Sequence, residues 1–76
     1  MSAYVIALSD RAGSLERLLN KCRRKGHVPR AMAVGPGGPG ELKVVVDFVE
    51  PTASPARVAA DLAKDHDVLS VEHRPE

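Results

Sequence analysis

Residues 13–26, GSLERLLNKCRRKG, decide how this chain folds. Leu15, Leu18, Leu19 and Cys22 recur at i, i+3, i+4 and i+7, so one stripe of a helix over residues 13–25 is apolar. Glu16 sits in the first turn, while Lys21, Arg23, Arg24 and Lys25 crowd the last turns and complement the helix dipole at both ends. Gly26 follows as the residue that lets the chain turn away. The start, the buried face and the stop of a helix are all written in one short run.

Strands flank it. Upstream, residues 3–9, AYVIALS, alternate Tyr4, Ile6 and Leu8 against Ala3, Val5 and Ala7, which is the period of a strand with its larger side chains inward. Downstream, residues 28–34, VPRAMAV, make a weaker strand, and Pro29 lacks an N–H, which restricts it to a strand start or a sheet edge. Residues 41–49, ELKVVVDFV, form the strongest strand. Leu42, Val44, Val46 and Phe48 occupy one face of it, and Lys43, Val45, Asp47 and Val49 the other.

After the break EPTAS at residues 50–54, a second helix runs over about residues 55–65. Ser54 is its N-cap, Pro55 suits the first helical position, and Val58, Ala59 and Leu62 give it a narrow apolar stripe. Residues 67–73, DVLSVEH, supply the last strand, with Leu69 and Val71 expected inward. The order is β-α-β-β-α-β. Two right-handed crossovers put both helices on one face of a four-stranded antiparallel sheet, an α+β ferredoxin-like sandwich in a single domain over residues 1–76. The other sheet face, with Val5, Ala7, Val45 and Val49, is left with little to cover it.

Composition narrows the function. With 11 basic and 10 acidic residues the net charge is +1, which gives no electrostatic footprint for nucleic acid or an anionic membrane. The only cysteine, Cys22, rules out an internal disulfide and suits a reducing compartment. Apolar runs of about five residues fall far short of the roughly 20 that span a bilayer. MSAYVIALSD has no basic leader region, so a cytoplasmic protein is expected.

Residues 35–40, GPGGPG, match the G-x-G-x-x-G spacing of phosphate-cradling loops. They lie between two strands, however, and Pro36 and Pro39 have no N–H to offer, so a hairpin tip is the better reading. The stretch with the right context is Ser9 to Leu15, SDRAGSL, which leaves a strand and opens a helix. Its free N–H groups suit a carboxylate, Gly13 lets a ligand approach the backbone, and Asp10 could pair with an ammonium. Together these would hold a zwitterionic amino acid. Equally, Asp10 and Gly13 could simply shape the turn and begin the helix.

The combination Asp10-x-x-Gly13-x-Leu15, an amphipathic helix, Arg24-Lys25-Gly26 and then a strand resembles the ACT domain. It is most similar to the compact, single-domain small regulatory subunits of acetolactate synthase. The stretch GSLERLLNKCRRKGHVPRAMAV carries most of the likeness, and the tail KDHDVLSVEH adds to it, so that the resemblance spans about residues 3–73. It implies a non-catalytic homodimer joined through side-by-side sheets, without a cofactor of its own. It also implies activation of a thiamine-diphosphate-dependent catalytic large subunit in branched-chain amino acid biosynthesis. A branched-chain amino acid effector would meet Asp10, Arg11, Gly13, Ser14, Leu15 and Val28. Two departures bear on valine feedback: valine-responsive members carry Asn where this chain has Val28, and often Asn where it has Asp10. The runner-up is a stand-alone amino-acid-sensing homodimer that regulates another enzyme.

Other functions of this fold leave signatures that are missing here. RNA binders stack bases on exposed sheet aromatics, but Tyr4 and Phe48 fall on core faces. Metal carriers use a Cys-x-x-Cys pair in the first loop, and the only cysteine here, Cys22, is mid-helix. Acylphosphatase-like enzymes need an Asn beside an Arg such as Arg11, and Asn20 is inside the helix. His27, His66 and His73 are scattered, with no metal-binding spacing, and His66 suits a helix C-terminus. Cys22 lies on the apolar stripe and reads as packing. The cluster Lys21, Arg23, Arg24 and Lys25 is a solvated helix end or a dock for an acidic partner.

Overall fold

A computed structural model describes residues 2–49 and 54–75; of the break expected at 50–54, only Ser54 lies within them. The elements are β1 (Ser2–Ser9), α1 (Ser14–Arg24), β2 (Pro29–Pro36), β3 (Glu41–Phe48), α2 (Pro55–Ala63) and β4 (Val68–Pro75). All strand pairs are antiparallel, in the order β2-β3-β1-β4. The β-α-β-β-α-β reading of the sequence is the observed fold.

The sheet is laid out by the alternation in β1 and β3. Tyr4, Ile6 and Leu8 pair in register with Val46, Val44 and Leu42. All of these but Leu42 are buried, and they form one cluster with Leu18 and Cys22 of α1 and Val58 and Leu62 of α2. Because one set of strand side chains meets both helices, the helices share a sheet face. The alternate set, Val5, Ala7 and Val45, stays half-buried on the opposite face, and Val49 is exposed. Arg30 is drawn across that face to Asp47, its Nε donating at 3.1 Å, and Arg74 pairs with Glu72.

The ends of the helices follow from their flanking residues. After α1 the chain turns at Gly26, with φ +80°, where the Gly26 N–H donates to Arg23 O and the His27 N–H to Cys22 O. That double bond is the Schellman stop, and it tucks His27 under the helix end. α2 starts as its sequence implies, Ser54 Oγ accepting from the Arg57 N–H at 3.3 Å. It ends at Ala63, earlier than the 65 expected. Asp65 leaves the helix to form a turn, its Oδ1 accepting the Asp67 N–H at 2.9 Å. GPGGPG closes the β2–β3 hairpin, with Gly40 at φ +72° and the Glu41 N–H donating to Gly38 O at 3.0 Å.

One strand expectation fails. Leu69 was assigned inward with Val71, but Leu69 is 55% exposed. The β1–β4 register shifts between Ala7 and Leu8, so Ile6 faces Val71 while Leu8 faces Val68. The bulge hands the inward place from Leu69 to Val68, which packs on the core.

Candidate functional site: the β1–α1 corner

The loop between β1 and α1 is clamped by its neighbours. The Ser9 N–H donates to Asp67 O at 2.8 Å, tying the loop to the α2–β4 turn. The Asp10 N–H donates to Gly40 O at 3.0 Å, tying it to the hairpin tip. Gly13 then takes φ +77° and begins α1 with no side-chain cap. Asp10, Arg11, Ala12 and Gly13 are exposed, Ser14 is buried, and Leu15 packs half-buried against the core.

Arg17 completes the corner. Its Nε donates to Asp67 Oδ2 at 2.9 Å, its Nη2 lies 2.9 Å from the same oxygen, and its Nη1 donates to Ala12 O at 3.1 Å. A cation in the first turn of a helix opposes the dipole, and the fully buried Asp67 carboxylate offsets that cost. A Cβ added at Gly13 would lie 3.1 Å from Arg17 Nη1. Gly13 is thus needed for its backbone angle and for the room it leaves to a guanidinium. Sequence alone does not single out Arg17, because its partner lies 50 residues away. The corner offers a half-exposed guanidinium and an uncapped helix start, both suited to a carboxylate, with the carboxylate of Asp10 on the same loop.

Val28, assigned to the same site, lies at the far end of α1, roughly 16 Å away for a helix of this length. It is exposed, in a groove of about 360 Å³ with Leu19, Arg23, His27 and Pro29. Within one chain the structure brings Asp10 to Leu15 together and leaves Val28 apart.

His27 has a structural role at that same end. It is buried, bonds Asp61 Oδ2 through Nε2 at 3.0 Å, and packs against Phe48 with ring centroids 5.9 Å apart. Two clues in the sequence pointed there: His27 follows the helix-stopping Gly26, and Asp61 stands three residues after Val58 on the apolar stripe of α2. The hydrogen bond from His27 lowers the Asp61 pKa, against the opposing effect of burial. A lowered carboxylate pKa stabilises the fold above the unfolded carboxylate range, and that stability is lost as pH falls through the lowered pKa. Urea midpoints taken from about pH 7 to about pH 3 should therefore fall more steeply in the parent than in Asp61→Asn, the two curves converging at the acid end. Parallel curves would show that the pair contributes nothing.

The remaining candidates have plain roles. Cys22 is buried, and burial, then Asp65, pushes its thiol up to about 11, so it packs and holds no thiolate at neutral pH. Tyr4 and Phe48 are in the core, with ring centroids 5.6 Å apart, and present no stacking platform. His66 is exposed, and His73 stacks on Tyr4 at 4.9 Å. Among the described residues, no group of three or more His, Cys, Asp or Glu is placed to hold a metal ion, and no helix is long and apolar enough to cross a membrane.

No family model and no curated protein matches the chain. Solved structures do. The ACT domain from the GTP pyrophosphokinase of Chlorobium tepidum superposes with a TM-score of 0.71 at 18% identity, over 95% of this chain and 94% of that one. The fold is ACT-like. The C-terminal domain of the MgtC protein from Mycobacterium tuberculosis superposes with a TM-score of 0.68 at 17% identity, over 95% of this chain and 82% of that one. At such identities the likeness is one of fold, and the ACT-like frame alone is shared.

Proposed function

We propose that the chain is a non-catalytic regulatory module that pairs with a second copy along β2 and takes an amino acid at the β1–α1 corner. The finer reading is the small subunit of acetolactate synthase, acting on a thiamine-diphosphate-dependent catalytic large subunit. The observation that carries the binding role is the Arg17 guanidinium held by Asp67 against Gly13, at a helix start without a cap. Pairing supports the place of Val28. Antiparallel β2 strands from two copies would bring Val28 of one toward the hairpin end of the other, where the Asp10 N–H meets Gly40 O. Regulation would act through differential affinity of the effector for two states of the assembly.

Calorimetric titration with valine, leucine and isoleucine tests the site. Binding to the parent should vanish in Gly13→Trp, where the new side chain is strained at φ +77° and displaces Arg17. Equal binding by both proteins would place the ligand elsewhere. Adding the chain to an acetolactate synthase large subunit from the same cells should raise its turnover.

The alternative, a sensing homodimer serving another enzyme, is favoured by one finding. The fold neighbour from Chlorobium tepidum is a domain of a GTP pyrophosphokinase. Amino acid binding without any effect on the large subunit would select it.

A further inference from the structure

We propose that the groove between α1 and the α2–β4 turn docks an acidic helical segment of a partner protein. The groove measures about 280 Å³ and is lined by Arg17, Asn20, Lys21, Arg24, Asp65 and His66. Its charges are sorted by depth. Asp65 and Asp67 are buried, Asp65 accepting the Asp67 N–H and Asp67 holding Arg17. Arg24 and His66 are exposed and Lys21 half-buried. Among the described residues no carboxylate comes within 4.0 Å of Lys21 or Arg24, whereas Arg17, Arg30, Lys64 and Arg74 all have such a partner. Lys21 and Arg24 thus stand together beside this groove with neither charge held in an ion pair among the described residues.

The helix dipole explains cations in the last turn. It does not account for Asn20 on the same line, and Arg17, held by Asp67, extends the row toward the start of α1. The spacing selects the occupant. Arg17, Lys21 and Arg24 stand at i, i+4 and i+7 and rise about 10 Å along the axis, one charge per turn. Closing a fork on a single phosphate would need donors converging on one group, whereas a row of this length matches carboxylates on successive turns of a second helix. The inference needs neither an amino acid at the corner nor a second copy, so it stands or falls apart from the proposed function.

The test is fluorescence anisotropy of the intact chain with a labelled helical peptide of about 20 residues carrying Glu on one face at one-turn spacing. Binding should weaken as salt rises. Lys21→Glu with Arg24→Glu should weaken it by about tenfold or more, given up to roughly a factor of five per exposed pair before repulsion is added. Lys43→Glu with Arg57→Glu, the same charge change placed elsewhere, should alter it by less than about twofold. Arg17 is kept in both, so Asp67 stays paired; if the reversed pair fails to fold, Lys21→Gln with Arg24→Gln takes its place. Equal losses in both variants, equal binding of a Gln version of the peptide, or tighter binding of inorganic tripolyphosphate than of the peptide would each overturn the proposal.

Discussion

Ile6→Ala should lower the free energy of unfolding by about 2–5 kcal/mol, read from urea denaturation with unchanged cooperativity. Ile6 is fully buried in β1, a strand flanked on both sides, where it faces Val44 in β3 and Val71 in β4. Leu18, Cys22, Val58 and Leu62 belong to the same cluster from the helix side. A cavity there is walled by four elements and can collapse little, which puts the loss toward the upper part of the range. A 76-residue domain has roughly 4–11 kcal/mol in total, so the variant should lose a large share of its stability. Val5→Ala is the internal comparison: the neighbouring residue on the open face is only half-buried and should cost about 1 kcal/mol or less. A loss at Ile6 no larger than at Val5 would mean that the core is not where the sheet and helices meet.

That core was legible because it is local. Alternation in β1 and β3, the stripe of α1 and its glycine stop each need only a few neighbouring residues to be read. Leu69 was misplaced because a period of two assumes an unbroken ladder, and the bulge opposite Ala7 and Leu8 depends on how β4 meets β1. The corner was half legible. Strand, loop, Gly13 and helix could be read in order, yet the group that occupies the corner could not. Arg17 looked like any charged residue on a helix until folding brought Asp67 to it across 50 positions. His27 was passed over for a related reason. Counting histidines for metal spacing asks which of them converge, whereas burial under a helix end asks what a single one must bond to. Its answer, Asp61, stands on another helix.

Val28→Glu together with Val34→Glu should convert a dimer to a monomer in sedimentation at micromolar concentration, and should remove any dependence of melting temperature on concentration. β2 is an edge strand, and an edge offers a row of unpaired N–H and C=O groups to whatever strand arrives. Edges that stay single are blunted by charge. The one charged residue of β2 is Arg30, and its guanidinium is drawn over the sheet to Asp47, away from a guarding role. Val28 and Val34, 55% and 43% exposed, instead bracket the strand with apolar surface. A two-fold pairing is self-complementary, so antiparallel β2 strands would set Val34 of one copy near Val28 of the other at both ends of the contact. Four carboxylates would then meet in two like-charged pairs inside a desolvated seam, a repulsion that the main-chain ladder has to overcome. Both positions are exposed in the single chain, so the variant monomer should keep its circular dichroism spectrum. A parent that sediments as a monomer at every concentration would sink the pairing, and with it the place given to Val28 beside a ligand, because only a second copy can carry that residue to the corner.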